Sequence, residues 1–273
     1  MLVILVNIFD AVFSQSYRKH QVKYDLIEKL SHITFLSTVF LAQTSRVKHR
    51  TIERFKIEKD LRIFIDKYVR DSIFWDVGAC VGNFSVYAAS IGSTVYCFEP
   101  DGLTFSTLVH NTANSKLDIF ALPIALGKAN AIESLNMRVF ESANAYNTVG
   151  RNVSFDGSNF KPAAKIACMQ FRGDYLVTGL GLPIPNYIKI DVDGNELQVL
   201  EGLGLLLRHP ELRGIAIELI KDNPETQLSE ELINDNGFIE VFFGSNVINS
   251  LETNRFFLRA EIVLASKSTN VKF

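Results

Sequence analysis

None of the 16 glycines and 7 prolines in this 273-residue sequence falls within its first 70 residues. Nothing there asks for a tight turn. Both "YDLIEKLSHITFLSTVFLAQ" and "EKDLRIFIDKYV" space their apolar residues as a helix does, so residues 1–70 are expected to be mostly helical. Cysteine is scarce as well. Cys80, Cys97 and Cys168 are odd in number and far apart, which excludes a disulfide framework and CxxC metal spacing and points to a reducing, cytoplasmic setting. No other cluster has metal-ligand spacing, so no required metal is expected. A long apolar run is missing too. "MLVILVNIFDAVF" is shorter than the roughly 20 residues of a membrane span, has no basic residue ahead of it and lacks a small-residue cleavage site. An amphipathic packing or interfacial helix suits it better than a signal peptide. Internal repeats and low-complexity segments are absent.

Charge of one sign is lacking overall, with a formal net charge of −2, which argues against nucleic acid and against disorder. The sequence is nevertheless asymmetric. Residues 1–70 carry 13 Lys and Arg against 7 Asp and Glu, and the remainder 15 against 23. A basic amino-terminal region could face a membrane surface peripherally or a phosphorylated acceptor. Solvated helix faces are the simpler explanation.

From residue 72 strands and helices alternate. "SIFWDVGA", "TVYCFEPD", "DIFALPIALG", "PNYIKIDVDG" and "LRGIAIELI" read as strands, separated by helical stretches such as "NFSVYAASIG", "LTFSTLVHNTANS" and "NELQVLEGLGLLLRH". "QLSEELINDNG" is a further helix, and "FIEVFFG" and "RFFLRAEIVLA" read as two last strands. Residues 128–170, rich in Ser, Asn and Gly, read as an insertion of loops around short strands. The expected fold is α/β: a Rossmann-like, doubly wound, mostly parallel seven-stranded sheet with helices on both faces. Its expected organisation is an amino-terminal helical extension, 1–70, and a cofactor-binding domain, 71–273. Ligands of such sheets bind beyond the carboxyl ends of the strands, where Asp76, Glu99 and Asp191 fall.

The turn "DVGACVG" is informative by what it omits. A dinucleotide fingerprint, Gly-x-Gly-x-x-Gly, needs glycines where this sequence has Cys80 and Asn83, and no Gly-Lys-Ser/Thr follows. A pyrophosphate-hugging turn is therefore missing. Glu99, 21 residues after Gly78, stands where a carboxylate can accept both hydrogen bonds of a ribose diol. A ribose and adenine without pyrophosphate, joined to a cationic amino acid, describes S-adenosylmethionine, and Asp76 and Asp191 would add negative potential around its sulfonium and ammonium. A nicotinamide cofactor is the competing reading.

At these residues the sequence resembles the FkbM family of methyltransferases, within the class I S-adenosylmethionine-dependent fold. The resemblance runs from about Glu58 to Phe242 and is carried by "FWDVGACVGNFSVYAA", "VYCFEPDGLTFSTLVHN", "ALPIALG", "GDYLV" and above all "YIKIDVDGNELQVLEG" followed by "IAIEL". It implies that Asp76, Gly78, Ala79, Gly82 and Asn83 line the methionine side of the cofactor. Glu99 would hold the ribose with Pro100 and Asp101 flanking it, Ala125 would lie by the adenine, and Asp191 near the reacting end. Cys80 belongs to the same turn and stands where the family usually has asparagine or another small polar residue. Asn195 replaces a more usual apolar residue. For an alcohol acceptor Asp191 is the candidate general base, with Glu196 and His110 behind it. The family implies O-methylation of a saccharide or lipid-linked saccharide precursor, met by the 128–170 insertion around "ESANAYNTVGRN". A small secondary metabolite as acceptor and an inactive cofactor-binding partner subunit are the alternatives.

Overall fold

A computed structural model describes residues 32–35, 38–41, 45–144, 146–153, 158–221, 223–243 and 252–268. The opening apolar stretch lies outside these residues. Within the amino-terminal region the expectation of helix fails first. β1 (His32–Phe35) and β2 (Thr38–Leu41) pair antiparallel. Their sequence, "HITF" and "TVFL", is dominated by β-branched and aromatic side chains, which fit a pleated surface better than a helix. Helix follows as expected: α1 (Ser45–Lys48), a π-helical turn (His49–Arg54), α2 (Phe55–Ile57), α3 (Lys59–Phe64) and a second π-helical turn (Ile65–Val69).

Among the described residues the central sheet has seven strands: β3 (Ile73–Val77), β4 (Thr94–Phe98), β5 (Ile119–Leu122), β10 (Tyr187–Ile190), β11 (Gly214–Ile220), β12 (Phe238–Val241) and β13 (Glu252–Arg259). Their spatial order is β12-β13-β11-β10-β3-β4-β5. β11, β10, β3, β4 and β5 run parallel, and β13 is antiparallel to both β11 and β12. Chain order reverses between β3 and β10, so the crevice of this sheet opens there.

Side chains alternate across the pleat and feed two cores. Trp75, Val77, Ile188 and Ile190 point to one face, where they meet Leu176 of α6 (Gly173–Thr178) and Val199 and Leu203 of α7 (Glu196–Leu203). Phe74, Val95 and Tyr187 point to the other, against Leu61 and Phe64 of α3, Phe84 and Ala88 of α4 (Asn83–Ser90) and Leu108 of α5 (Gly102–Ser115). Phe64 stacks on Phe256 with ring centroids 5.4 Å apart. The helices preceding residue 70 and the strands following it thus share one core.

Three further expectations are modified. "DIFALPIALG" is not one strand: Pro123, which has no N–H to donate, follows β5, and β6 (Ala125–Leu126) joins a second sheet. That sheet, β6-β9-β7-β8, is built largely from the expected insertion, through β7 (Ala131–Met137), β8 (Thr148–Val149) and β9 (Ala164–Phe171). "RFFLRAEIVLA" is strand only to Arg259, and Ala260–Ser268 is helix α9. "NELQVLEGLGLLLRH" breaks at Gly204 (φ +45°) into a 3-10 turn, Gly204–Arg208. "QLSEELINDNG" lies in α8 (Pro224–Asp235) and the turn after it.

Candidate functional site

β10, β3 and β4 are neighbours, so the chain segments leaving their carboxyl ends lie side by side. Gly78 leaves β3 with φ +77°, and a Cβ there would stand 1.8 Å from the carbonyl oxygen of Asp191. The glycine is required because the loop leaving β10 crosses its backbone. Gly82 (φ +85°) precedes α4, and a Cβ there would meet Leu108 Cδ1 at 2.6 Å. Both glycines are explained by packing around the turn itself.

Lys189 sits in the middle of β10, buried, directly beside Asp76 in the register of the sheet. Its Nζ donates to Asp76 Oδ1 at 2.9 Å and to the Gly78 carbonyl at 3.1 Å, and lies 3.6 Å from Asp191 Oδ2. Ser85 Oγ donates to the other Asp76 oxygen at 2.6 Å. Burial alone would lower the Lys189 pKa. The carboxylates of Asp76 and Asp191 reverse this and hold the amine charged, above its ordinary value. For Asp191, burial works upward, and the charges of Lys189, Arg54 and Arg50 overcome it, leaving the carboxyl below its ordinary value. A buried charge is tolerated only when paired in this way.

Glu99 follows β4. Its Oε2 accepts from the Cys80 N–H at 3.1 Å and its Oε1 from the Asp101 N–H at 2.9 Å. Each oxygen keeps a lone pair for a further donor. Burial pushes this carboxyl up to about 8, against the pull of those two N–H groups. Asp101 caps α5, accepting from the Leu103 N–H at 3.1 Å and Thr104 Oγ1 at 2.6 Å. Cys80 adopts φ +51°, and burial raises its thiol to about 12, so it is not a thiolate at neutral pH.

These elements surround a cleft of ≈ 710 Å³, open mouth included. Of the residues singled out from sequence, Gly78, Cys80, Glu99, Pro100, Asp101, Ala125 and Asn195 line it. Asp76, Ala79, Gly82, Asn83 and Asp191 do not, and stand behind the lining. Asp76 is turned into the sheet toward Lys189. Ala79 is in the core. Asn83 Nδ2 donates to the Arg50 carbonyl at 3.1 Å, fastening the amino-terminal segment to the turn. Glu196 is raised to about 7 by burial, yet its Oε1 accepts from the N–H groups of Val192 (3.2 Å) and Gly194 (3.0 Å). It organises the loop after β10. His110 lies along α5 beside Asn114 and outside the cleft lining.

Three residues of the site were not anticipated. Lys189 was legible: a lysine inside "YIKI", an otherwise apolar strand, demands a buried partner. Asp193 lines the cleft with φ +56°, and its Oδ2 accepts from the Tyr146 N–H at 2.8 Å. The Asp-Gly pair after a strand was its turn signal. Arg50 lines the cleft from the π-helical turn and had no signal. Asp191, Asp193 and Glu218 bring carboxylate oxygens within 4.8 Å of one another, but Lys189 and Arg54 already neutralise this cluster, with Arg54 Nη2 3.3 Å from Glu218 Oε1.

The lining suits an adenosyl amino acid. Ile124, Ala125 and Leu126 offer an apolar wall for a purine, Glu99 two acceptor positions for a diol, and the turn end an acidic carboxylate and a guanidinium. A doubly wound sheet with its cleft at the switch point is an architecture that takes ligands there. Residues 76–248 match the Methyltransferase FkbM domain, and the chain belongs to that family. The family's description is that of a methyltransferase domain. The hexuronic acid methyltransferase AglP of Haloferax volcanii is 28% identical over 143 residues, which are 52% of this chain and 54% of that protein. The match thus spans about half the length of that relative. Among solved structures, an rRNA methylase from Streptococcus thermophilus is 13% identical with a TM-score of 0.45, over 73% of this chain and 93% of that one. Magnesium protoporphyrin IX methyltransferase from Synechocystis PCC 6803, with bound S-adenosylmethionine, is 11% identical with a TM-score of 0.44, over 80% and 85%. Among the described residues, no helix is long and apolar enough to cross a membrane.

Proposed function

We propose that this chain transfers a methyl group to a hydroxyl oxygen of a saccharide or lipid-linked saccharide precursor. The observation that carries this reading is one cleft lined from two sheets, with Glu99 and Gly78 on one side and Asn144, Asn147 and Val149 on the other. The first side suits a nucleoside. The second offers amide donors and acceptors suited to several hydroxyls. The similarity to a hexuronic acid methyltransferase supports a sugar as acceptor.

When bound, the cofactor supplies an activated methyl group on a sulfonium. The protein's part is to align and shield it. In this reading Glu99 takes the ribose hydroxyls, Pro100 and Asp101 fix that loop, and Ala125 lies against the adenine. Gly78, Ala79, Cys80, Gly82 and Asn83 form or support the turn under the methionine portion. Holding the acceptor oxygen in line with the methyl group accounts for most of the acceleration, since orientation alone can be worth about 7–11 kcal/mol. Asp191, kept ionised by Lys189 and set behind the lining, contributes negative potential near the sulfonium and takes the acceptor's proton through one bridging water. Its lowered pKa makes it a weak base, so this step contributes near the low end of the ~10²–10⁴-fold usual for general bases. Asp76 acts at one remove, by holding Lys189. The division into a 1–70 extension and a 71–273 domain carrying the 128–170 insertion is proposed with the insertion as acceptor wall. A basic amino-terminal region offers peripheral contact with a membrane carrying the lipid-linked acceptor.

The test is transfer of label from methyl-labelled S-adenosylmethionine to a panel of neutral, acidic and lipid-linked saccharides and small aromatic metabolites. Label on a saccharide supports the proposal. Label confined to the aromatic metabolites contradicts it, and cofactor binding without transfer to any acceptor indicates an inactive module.

A further inference from the structure

Among the described residues, Arg50 is the one cationic side chain lining the cleft. Its position is fixed from behind, because its carbonyl accepts from Asn83 Nδ2, the first residue of α4, at 3.1 Å. Its neighbours in charge are otherwise accounted for. Arg54 Nε is 2.8 Å from Glu58 Oε1 and its Nη2 3.3 Å from Glu218, while Lys189 is bound to Asp76. The Arg50 guanidinium, by contrast, makes no hydrogen bond or ion pair among the described residues. A partly buried guanidinium with five donors in a fixed fork and nothing to receive them is matched to a planar anion. Burial lowers its pKa, and negative charge nearby, including the carboxylates of Asp193 and Asp191, more than restores it, so the group stays charged.

We propose that Arg50 binds the α-carboxylate of the S-adenosylmethionine methionine portion. The inference rests on the cofactor reading and extends it to a segment outside residues 76–248. The cofactor has a single anionic group, and it lies at the end opposite the adenine. With Ala125 and Glu99 taking adenine and ribose, the methionine end falls at the turn containing Cys80, beside Arg50. Asp191 and Asp193 flank the same guanidinium, so the turn end presents one cation and two anions to an amino-acid zwitterion. An anionic group on the acceptor is the competing source of the carboxylate, and the experiment separates the two.

Calorimetric titration of the full chain with S-adenosylmethionine and with its decarboxylated form, which keeps the sulfonium and amine and lacks only the carboxylate, reads the contact directly. Wild-type protein is expected to prefer the complete cofactor by about 10- to 100-fold, the range of a hydrogen-bonded charge contact. Arg50→Gln should erase that preference by weakening only the complete cofactor, and Arg50→Lys should retain part of it. Equal affinity of wild type for the two compounds overturns the proposal without any variant. So does a preference that survives Arg50→Gln, which would assign the guanidinium to the acceptor. Equal weakening of both compounds by Arg50→Gln with Arg50→Lys giving no rescue would make Arg50 structural. Failure of wild type to bind either compound overturns the cofactor reading itself, and this inference with it.

Discussion

The two walls of the cleft are held by opposite means. On the wall made by β3, β4 and β10, Lys189 and Asp76 are 3% and 1% exposed and 2.9 Å apart, and the Gly78 carbonyl is fastened to the same amine. On the wall where residues 45–58 meet residues 138–149, Arg46 reaches Asn144 at 2.5 Å and Glu141 at 3.2 Å, with Arg46 and Glu141 39% and 36% exposed. Behind that contact lies a small apolar cluster of Val47, Val81 and Ala143. A buried charge pair has no low-energy alternative once formed, since separation leaves two desolvated ions. An exposed pair can exchange for water at almost no cost. In the proposed reading the first wall fixes the methyl donor, and the Arg46 contact with Glu141 and Asn144 can give way to an acceptor.

Breaking the rigid wall should have the largest effects. Gly78→Ala forces a side chain into the Asp191 carbonyl and into an unfavourable φ, and is expected to abolish cofactor binding and soluble expression. Lys189→Met leaves Asp76 buried and unpaired and should cost about 3–5 kcal/mol in urea unfolding. Adding Asp76→Asn to it should recover a substantial part, which a double-mutant cycle would show. If Lys189→Met is neutral, the buried pair is not what holds this wall.

Glu99 offers an intermediate test through pH. Burial raises Glu58 and Glu196 to about 7 and Glu99 to about 8. Each binds its proton more tightly folded than unfolded. Their contribution to stability is thus full below the ordinary glutamate value and is lost as pH rises toward 8. The thermal midpoint of the cofactor-free protein should fall by several degrees between pH 5.5 and 8.5, and Glu99→Gln should flatten part of that slope. A flat profile in the wild type would mean that these carboxyls are ionised and solvated. At the soft wall, Arg46→Ala should change stability by less than about 1 kcal/mol, while raising the acceptor KM more than it lowers kcat. An equally large loss of stability there would erase the contrast between the walls.

The sheet and the glycine turn were legible because apolar strands ending in acid, spaced by helices, leave few alternative topologies. The site was legible in part. Glu99 stands out by its distance from Gly78, and the backbone of Gly78 and Cys80 does line the cleft. Asp76 and Asp191 were recognised as residues at strand ends, but their orientation depends on Lys189, a partner 113 positions from Asp76 that a pattern of spacing does not reveal. The strands His32–Phe35 and Thr38–Leu41 were hidden because Ile, Val, Phe and Leu at mixed intervals satisfy a helical template as well as a strand. Arg50 was hidden for a different reason: an arginine in a helical stretch reads as a solvated face until the turn it covers is known.

The most direct test of the account is the affinity of purified protein for S-adenosylmethionine, measured by calorimetry for wild type and for Glu99→Gln with NAD as the control ligand. Binding of S-adenosylmethionine but not NAD, weakened about 10-fold or more in Glu99→Gln as expected when an amide NH2 takes the place of one carboxyl oxygen, is the predicted result. Binding of NAD without S-adenosylmethionine, or an affinity indifferent to Glu99, would contradict it.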